Sequence, residues 1–174
     1  MATIRKSLYL LISVLVLAVD QLTKELVNRS LYLHETRIII PNFFNLVHTR
    51  NSGAVFGFFQ NGSSPLLPRV LTLLSIAALV FIVVYFYRSS LHERMNLVGL
   101  SLILGGALGN ILDRILRSSV VDFLEFYVGD FHWPAFNVAD SAICIGIFLL
   151  IVRSMREGRE VEPSTDATAR ERWS

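Results

Sequence analysis

Four long apolar stretches constrain the fold of this 174-residue chain more than any other feature. They cover residues 7–19, 70–87, 95–112 and 133–152, and the only charge inside them is Asp140. A helix that crosses the hydrocarbon core of a bilayer needs about 20 mostly apolar residues. The last three stretches meet this length, and the first meets it if its helix continues to residue 27. We therefore predict membrane-spanning helices near residues 6–27, 69–88, 95–115 and 135–153.

The composition agrees with a membrane protein. Hydrophobic residues make up 53% of the chain and charged residues only 17%, whereas soluble domains carry roughly 25% charged residues. The net charge of +2 gives no sign of the dense basic face of a nucleic-acid-binding protein. The single cysteine, Cys144, excludes a disulfide framework and a CxxC site. Its apolar neighbours predict that it is buried.

The first stretch could instead be the core of a signal peptide, because Arg5 and Lys6 precede it. It lacks a clear small-x-small cleavage site, and helical residues continue beyond it, so we interpret it as a retained span. Lys and Arg are dense before the first span, between the second and third, and after the fourth. By the positive-inside rule, we expect both termini in the cytoplasm and the loop at 28–68 outside.

The outer loop contains two short β-type runs, residues 37–40 and 43–48, which Pro41 and Asn42 separate. Short apolar runs bounded by turn residues are typical of strands, so we predict a small sheet at the outer membrane surface. Residues 157–174 are polar and are expected to form a disordered tail. The tail follows a single membrane domain at residues 1–156.

The first span carries two charges near its outer end. A charge at the bilayer centre costs at least about 2.5–3.5 kcal/mol, so such residues are candidates for function. Asp20 and Lys24 are four residues apart and can pair on one helix face. The pair either neutralises itself in a purely structural role or shapes an outward-facing site.

The end of the third span combines small and polar residues. Gly105 and Gly109 form a small-xxx-small pair, which permits close helix approach. Asn110, Asp113 and Arg114 follow on about one turn, and buried groups of this kind need partners. They serve either as packing contacts or as part of a site. Arg114 could hold a substrate carbonyl or neutralise Asp113, and the residues leave this choice open.

Two further acids lie on the outer side of the predicted topology, Asp122 just after the third span and Asp140 at the start of the fourth. Two carboxyl groups close together do not both ionise easily, so one keeps a proton near neutral pH. One group can then deprotonate a water while the other protonates a carbonyl oxygen or a leaving amine. The alternative is helix N-capping by Asp140 or Asn137.

Taken together and in order, these motifs resemble the family of bacterial lipoprotein signal peptidases (signal peptidase II), over about residues 8–152. The motifs are Asp20-Gln-Leu-Thr-Lys24, Asn51-Ser-Gly53-Ala-Val-Phe56, Gly105-Gly-Ala-Leu-Gly-Asn110-Ile-Leu-Asp113-Arg114, Val121-Asp122-Phe123 and Phe136-Asn137-Val-Ala-Asp140. The resemblance implies an all-α inner-membrane protein, with four transmembrane helices, a small periplasmic β-cradle and a short extramembrane helix.

The resemblance also implies the roles of the site residues. Asp122 and Asp140 would be the catalytic pair of an aspartyl endopeptidase. The substrate-binding residues would be Asn51, Gly53, Asn110, Arg114 and Asn137, and the residues that support the site would be Asp20, Lys24 and Asp113. The substrate would be a prolipoprotein that carries diacylglycerol on a cysteine, cleaved just before that cysteine at the periplasmic side of the membrane.

We expect a monomer in contact with membrane lipid, with no metal, cofactor or nucleic-acid partner. A small ion-coupled transporter is the main alternative, because intramembrane Asp, Lys and Arg also suit that function. Carriers often have repeated halves, and this sequence has no repeat. A third hypothesis is a non-enzymatic scaffold protein, in which the acids would be ordinary helix caps.

Overall fold

The computed structural model describes residues 2–52 and 66–160, with side chains described for residues 6–52 and 69–156. These residues form four helices and four strands. In chain order they are α1 (Ala2–Ser30), β1 (Thr36–Ile40), β2 (Phe44–Asn51), α2 (Leu66–Arg88), α3 (Arg94–Arg117), β3 (Val120–Val128), β4 (Phe131–His132) and α4 (Val138–Glu160). The four helices cover the four predicted spans, except that α4 begins at Val138, after residues 135–137.

Three segments of the described helices are long and apolar enough to cross a membrane: Arg69–Arg88, Arg94–Arg117 and Val138–Arg156. Helix α1 is not among them, although its 29 residues give it a length of about 43 Å. That α1 also crosses the membrane stays a prediction.

Helix α3 lies at the centre of the bundle and packs against the other three helices. One hydrophobic cluster joins it to α2 through Phe86, Leu97 and Leu100. The predicted close approach at the small-xxx-small pair is confirmed. A Cβ atom at Gly105 would lie 2.7 Å from the Ser13 carbonyl oxygen of α1, and one at Gly109 would collide with a carboxylate oxygen of Asp20.

The sheet is antiparallel with the strand order β1-β2-β3-β4. Both predicted strands are confirmed as β1 and β2, joined by a turn at Pro41 and Asn42, where Asn42 has a φ of 59°. Asparagine tolerates this left-handed conformation better than most residues do. Strands β3 and β4 were not predicted, so the sheet is larger than expected and the label all-α describes only the bundle.

The sheet is fixed to the bundle by a second hydrophobic cluster. Val121 and Phe123 of β3 are buried against Val27 and Leu31 at the end of α1. Strand β3 also begins three residues after α3 ends. These contacts hold Asp122, which lies between Val121 and Phe123, against the helices.

Three other expectations differ from the structure or fall outside it. The short extramembrane helix is absent from the described residues, and residues 53–65 are not among them. Helix α4 continues to Glu160, past the boundary that we drew at residue 156, while residues 161–174 lie outside the description. Cys144, predicted to be buried, is exposed. It lies on a face of α4 where Ile145 and Phe148 are exposed too, so its apolar neighbours indicate an outer apolar face rather than a core.

Candidate active site

Two asparagine amides link Asp122 of β3 to Asp140 of α4. The Asn137 Nδ2 donates to Asp122 Oδ1 at 2.7 Å and to Asn110 Oδ1 at 3.2 Å. The Asn110 Nδ2 in turn donates to Asp140 Oδ1 at 2.7 Å. Asn110 and Asn137 are both buried. The structure therefore brings four predicted site residues together, from α3, β3 and the start of α4.

Asp140 and Asn137 also cap α4. The Asn137 Oδ1 accepts a hydrogen bond from the Asp140 backbone N–H at 3.0 Å, and Asp140 Oδ2 accepts one from the Asn137 backbone N–H at 3.2 Å. This reciprocal pattern is a capping box, which satisfies backbone donors at a helix start. The capping interpretation is thus correct as geometry. The cap uses Asp140 Oδ2 and leaves Oδ1 to accept the hydrogen bond from Asn110. It therefore holds the carboxylate in place without using both of its oxygens.

The environment of Asp122 favours its protonated form. Its side chain is 3% exposed, and burial together with the negative charge of Asp140 raises its pKa to about 6. Hydrogen bonds from Asn137 and Asn51 to the carboxylate lower the pKa and only partly oppose this effect. Asn51, at the end of β2, therefore lies at the site as expected. A raised pKa in one member of a carboxyl pair is typical of acid–base sites.

A cluster of buried charged side chains contacts the Asn110 amide. The Lys24 ammonium is 2.8 Å from Asp20 Oδ2 and 3.0 Å from Asp113 Oδ2, and all three side chains are fully buried. Lys24 also donates to Asn110 Oδ1 at 3.0 Å. Because that oxygen accepts from Lys24 and Asn137, the amide nitrogen of Asn110 has to point to Asp140. The predicted pair of Asp20 and Lys24 on α1 is confirmed, and the hydrogen bond from Lys24 orients the Asn110 amide.

Asp20 further connects this cluster to α4. Its Oδ1 accepts the backbone N–H of Ala139, the second residue of α4, at 2.9 Å. A carboxylate at this position satisfies an otherwise unpaired donor and lies at the positive end of the helix dipole. The close approach of α1 at Gly109 makes this contact possible.

The partners of Asp113 differ from one alternative left open by the sequence. Asp113 is paired with Lys24 and with Arg117, whose Nη1 lies 2.5 Å from Asp113 Oδ1. Arg114 does not neutralise it. Arg117 was not among the predicted site residues, although its position four residues after Asp113 on one helix was a usable signal. Gln21, whose amide donates to both Asp20 and Asp113, was not predicted either.

Arg114 lies beside the hydrogen-bond network that links Asp122 and Asp140 rather than within it. Its Nη1 donates to the backbone oxygen of Asn110 at 3.2 Å. Together with Arg69, Leu73 and Ser118 it lines a cavity of about 410 Å³. Gly53, the remaining predicted substrate-binding residue, lies outside the described residues. Within residues 2–52 and 66–160, no three His, Cys, Asp or Glu side chains are arranged as metal ligands.

The raised pKa of Asp122 predicts a pH-dependent gain in stability for Asp122→Asn. The folded protein keeps this proton up to about pH 6, whereas the carboxyl group of the unfolded chain loses it near 3.8. Wild-type stability should therefore fall between those values, by about 3 kcal/mol for this group. We expect the variant to melt at a higher temperature than wild type at pH 8 and at nearly the same temperature at pH 4.

Thermal melts of detergent-purified protein at pH 4, 6 and 8 measure this difference. Asp130→Asn is the matched control, because Asp130 is exposed at the tip between β3 and β4. A stability difference for Asp122→Asn that is the same at all three pH values would contradict the assignment of a proton to this carboxyl group.

Comparison with known proteins gives a consistent result. Residues 12–156 match the family model described as Signal peptidase (SPase) II. The chain is 47% identical over 150 residues to the lipoprotein signal peptidase of Syntrophotalea carbinolica, covering 86% of this chain and 91% of the relative. It is 44% identical over 149 residues to that of Coxiella burnetii, covering 84% and 89%. It is 37% identical over 157 residues to that of Bacillus pumilus, covering 90% and 98%.

The fold has counterparts among solved structures. One bacterial membrane enzyme, solved by the in meso method at 2.3 Å resolution, superposes with a TM-score of 0.77 and 30% sequence identity. The match covers 91% of this chain and 93% of that one. A second, solved at 1.9 Å resolution, gives a TM-score of 0.72 and 32% identity, covering 84% and 92%.

Proposed function

Because this chain belongs to the signal peptidase II family, a family of membrane proteases that remove lipoprotein signal peptides, we propose that Asp122 and Asp140 carry out the hydrolysis. The substrate is a prolipoprotein with a diacylglyceryl-modified cysteine, and the bond cleaved lies just before that cysteine. The observation that supports this best is the amide-linked pair of carboxyl groups, of which Asp122 has a pKa of about 6.

The chemistry needs one ionised and one protonated carboxyl group. The ionised group takes a proton from a water molecule, whose oxygen attacks the carbonyl carbon of the scissile bond. The protonated group gives its proton to the leaving amine as the C–N bond breaks. No covalent enzyme intermediate forms. Burial of Asp122 beside Asp140 supports such a singly protonated pair up to about pH 6.

The surrounding amides keep the two carboxyl groups in place. The Asn137 and Asn110 amides donate to one oxygen of Asp122 and of Asp140. The Lys24 cluster fixes the direction of the Asn110 amide. A pair held by buried groups needs little rearrangement at the moment of reaction, which is the advantage of a preorganised polar site.

The substrate is expected to bind as an extended segment between the sheet and the bundle, at the periplasmic side of the inner membrane. Asn51, at the end of β2, and Arg114, beside the cavity next to α2, are the proposed contacts for its backbone. Gly53 completes this set. The transporter alternative is less favoured. The paired charges inside the described part of the helix bundle form one closed cluster around Lys24, whereas a transporter would need a series of them along the bundle axis.

Cleavage of a purified prolipoprotein tests the proposal. The substrate should be prepared in two forms that differ only in the diacylglyceryl group on the cysteine, and mass spectrometry should locate the cut. We expect cleavage just before the cysteine in the lipidated form and little or none in the unmodified form. Equal cleavage of both forms would contradict the proposed substrate, and no cleavage of either form by folded protein would contradict the proposed reaction.

A further inference from the structure

The outer end of the sheet carries an exposed apolar surface that the proposed reaction does not use. It consists of the side chains of Phe43, Phe126, Val128, Phe131 and Trp133, which we call the apolar rim. These side chains are between 40% and 70% exposed, and they surround a shallow cavity of about 370 Å³. A cluster of large exposed apolar side chains on the sheet, outside the membrane-spanning helices, indicates an interaction site.

The two faces of the sheet differ at this end. Successive side chains of a strand point to opposite faces, and directly paired residues share a face. Val128 pairs with Phe131, whereas Tyr127 pairs with His132. Val128 and Phe131 therefore belong to the rim, and Tyr127 and His132 lie on the opposite face.

That opposite face is polar, and several of its side chains contact one another. His132 Nδ1 lies 3.2 Å from Glu125 Oε2, which also accepts a hydrogen bond from the Asn45 amide at 2.8 Å. The Tyr127 ring stacks on His132 at 5.0 Å. The outer end of the sheet is thus amphipathic, with aromatic and aliphatic groups on one face and hydrogen-bonded polar groups on the other.

The position of the rim points to lipid as its partner. Trp133 precedes by five residues Val138, where both α4 and one candidate membrane span begin. Five residues reach at most about 17 Å, so the rim lies close to the level at which that span leaves the hydrocarbon. Trp and other amphipathic aromatic residues concentrate at this level in membrane proteins.

We propose that the apolar rim docks into the outer boundary of the bilayer and holds the sheet at the membrane surface. By analogy with interfacial amphipathic segments, its side chains reach about 5–10 Å into the headgroup and acyl boundary. Asp122, Leu124, Phe126 and Val128 alternate along β3 with Phe123, Glu125 and Tyr127, so they share one face of the strand. Docking therefore turns the face that carries Asp122 toward the membrane from which a lipid-anchored substrate would come.

Fluorescence of Trp133 in lipid vesicles tests the docking independently of any cleavage. The chain has two tryptophans, so Trp173→Phe leaves Trp133 as its only tryptophan, which excitation near the red edge of its absorption selects over tyrosine. Vesicles of phosphatidylcholine and phosphatidylglycerol would contain phosphatidylcholine brominated either near the headgroup end or near the methyl end of its acyl chains. Iodide on both sides of the membrane reports exposure to water, with a soluble tryptophan amide as reference.

We expect shallow bromines to quench Trp133 more strongly than deep bromines, by roughly twofold given an interfacial depth, and iodide to quench it far less than the reference. Quenching by iodide equal to the reference, without quenching by brominated lipid, would place the rim in water. Protection from both quenchers would show that protein, such as a second copy, covers it. Stronger quenching by deep bromines would place it in the hydrocarbon. Each of these three results overturns the proposal.

Two neighbouring substitutions supply a matched control. Phe131→Gln changes the rim, whereas His132→Gln makes the same replacement on the polar face of the same strand. In the Trp133-only protein we expect Phe131→Gln to reduce quenching by shallow bromines and His132→Gln to leave it unchanged. Thermal melts verify that both variants fold. An equal reduction by both variants would contradict docking through the rim, and so would no reduction by either.

Discussion

Replacement of Lys24 by methionine is expected to destabilise the protein by about 3–5 kcal/mol, because it leaves Asp20 and Asp113 as buried carboxylates without their shared cation. The loss extends to the site. Without the Lys24 hydrogen bond, the Asn110 amide is free to turn, and its bond to Asp140 is no longer fixed. We therefore expect the cleavage rate of the fraction that remains folded to fall as well.

Arg29→Met provides the matched control for this prediction. Arg29 and Glu25 form an ion pair at 2.7 Å with the same four-residue spacing on the same helix, but both side chains are exposed. Exposed pairs contribute about 0–1 kcal/mol, so this variant should be nearly neutral. Denaturant titration in detergent gives the two changes in unfolding free energy. Equal changes for Lys24→Met and Arg29→Met would contradict the structural role of the buried cluster.

The helices and the first two strands could be predicted from the sequence because their signals are local. Apolar length identified the helices, and Pro41 with Asn42 divided the two strands of the first hairpin. Strand β3 was missed because its evidence is not local. Its residues follow directly on the apolar pattern of α3, and they become a strand by pairing with β2, far away in sequence. Such pairings depend on tertiary context.

The members of the candidate site were easier to predict than their contacts. A charge inside a membrane span is costly, so Asp20, Lys24 and Asp113 were each candidates for function, and the family resemblance grouped them as residues that support the site. Arg117, four residues after Asp113 on the same helix, is better placed to pair with it than the adjacent Arg114, and the structure shows this pair. The bond from Asp20 to the start of α4 spans most of the chain. No sequence spacing could have indicated it.

Substitution of either member of the carboxyl pair should have the largest effect on activity. Asp122→Asn and Asp140→Asn keep the shape of the side chain and an oxygen that can accept the amide hydrogen bonds, but an amide neither takes up nor releases the proton that hydrolysis needs. General acid–base groups contribute about 10²–10⁴-fold to rate, and we expect each variant to lose at least that factor. Asp130→Asn, at the exposed tip between β3 and β4, should retain the wild-type rate.

The most direct test of the proposed mechanism is the single-turnover rate of cleavage of a diacylglyceryl prolipoprotein by these four proteins, with enzyme in excess and folding verified by thermal melt. We expect wild type and Asp130→Asn to cleave at equal rates, and Asp122→Asn and Asp140→Asn to bind the substrate without cleaving it measurably. A folded Asp122→Asn or Asp140→Asn protein that cleaves within about tenfold of wild type, far less than a lost acid–base group implies, would contradict the assignment of these two aspartates as the catalytic pair.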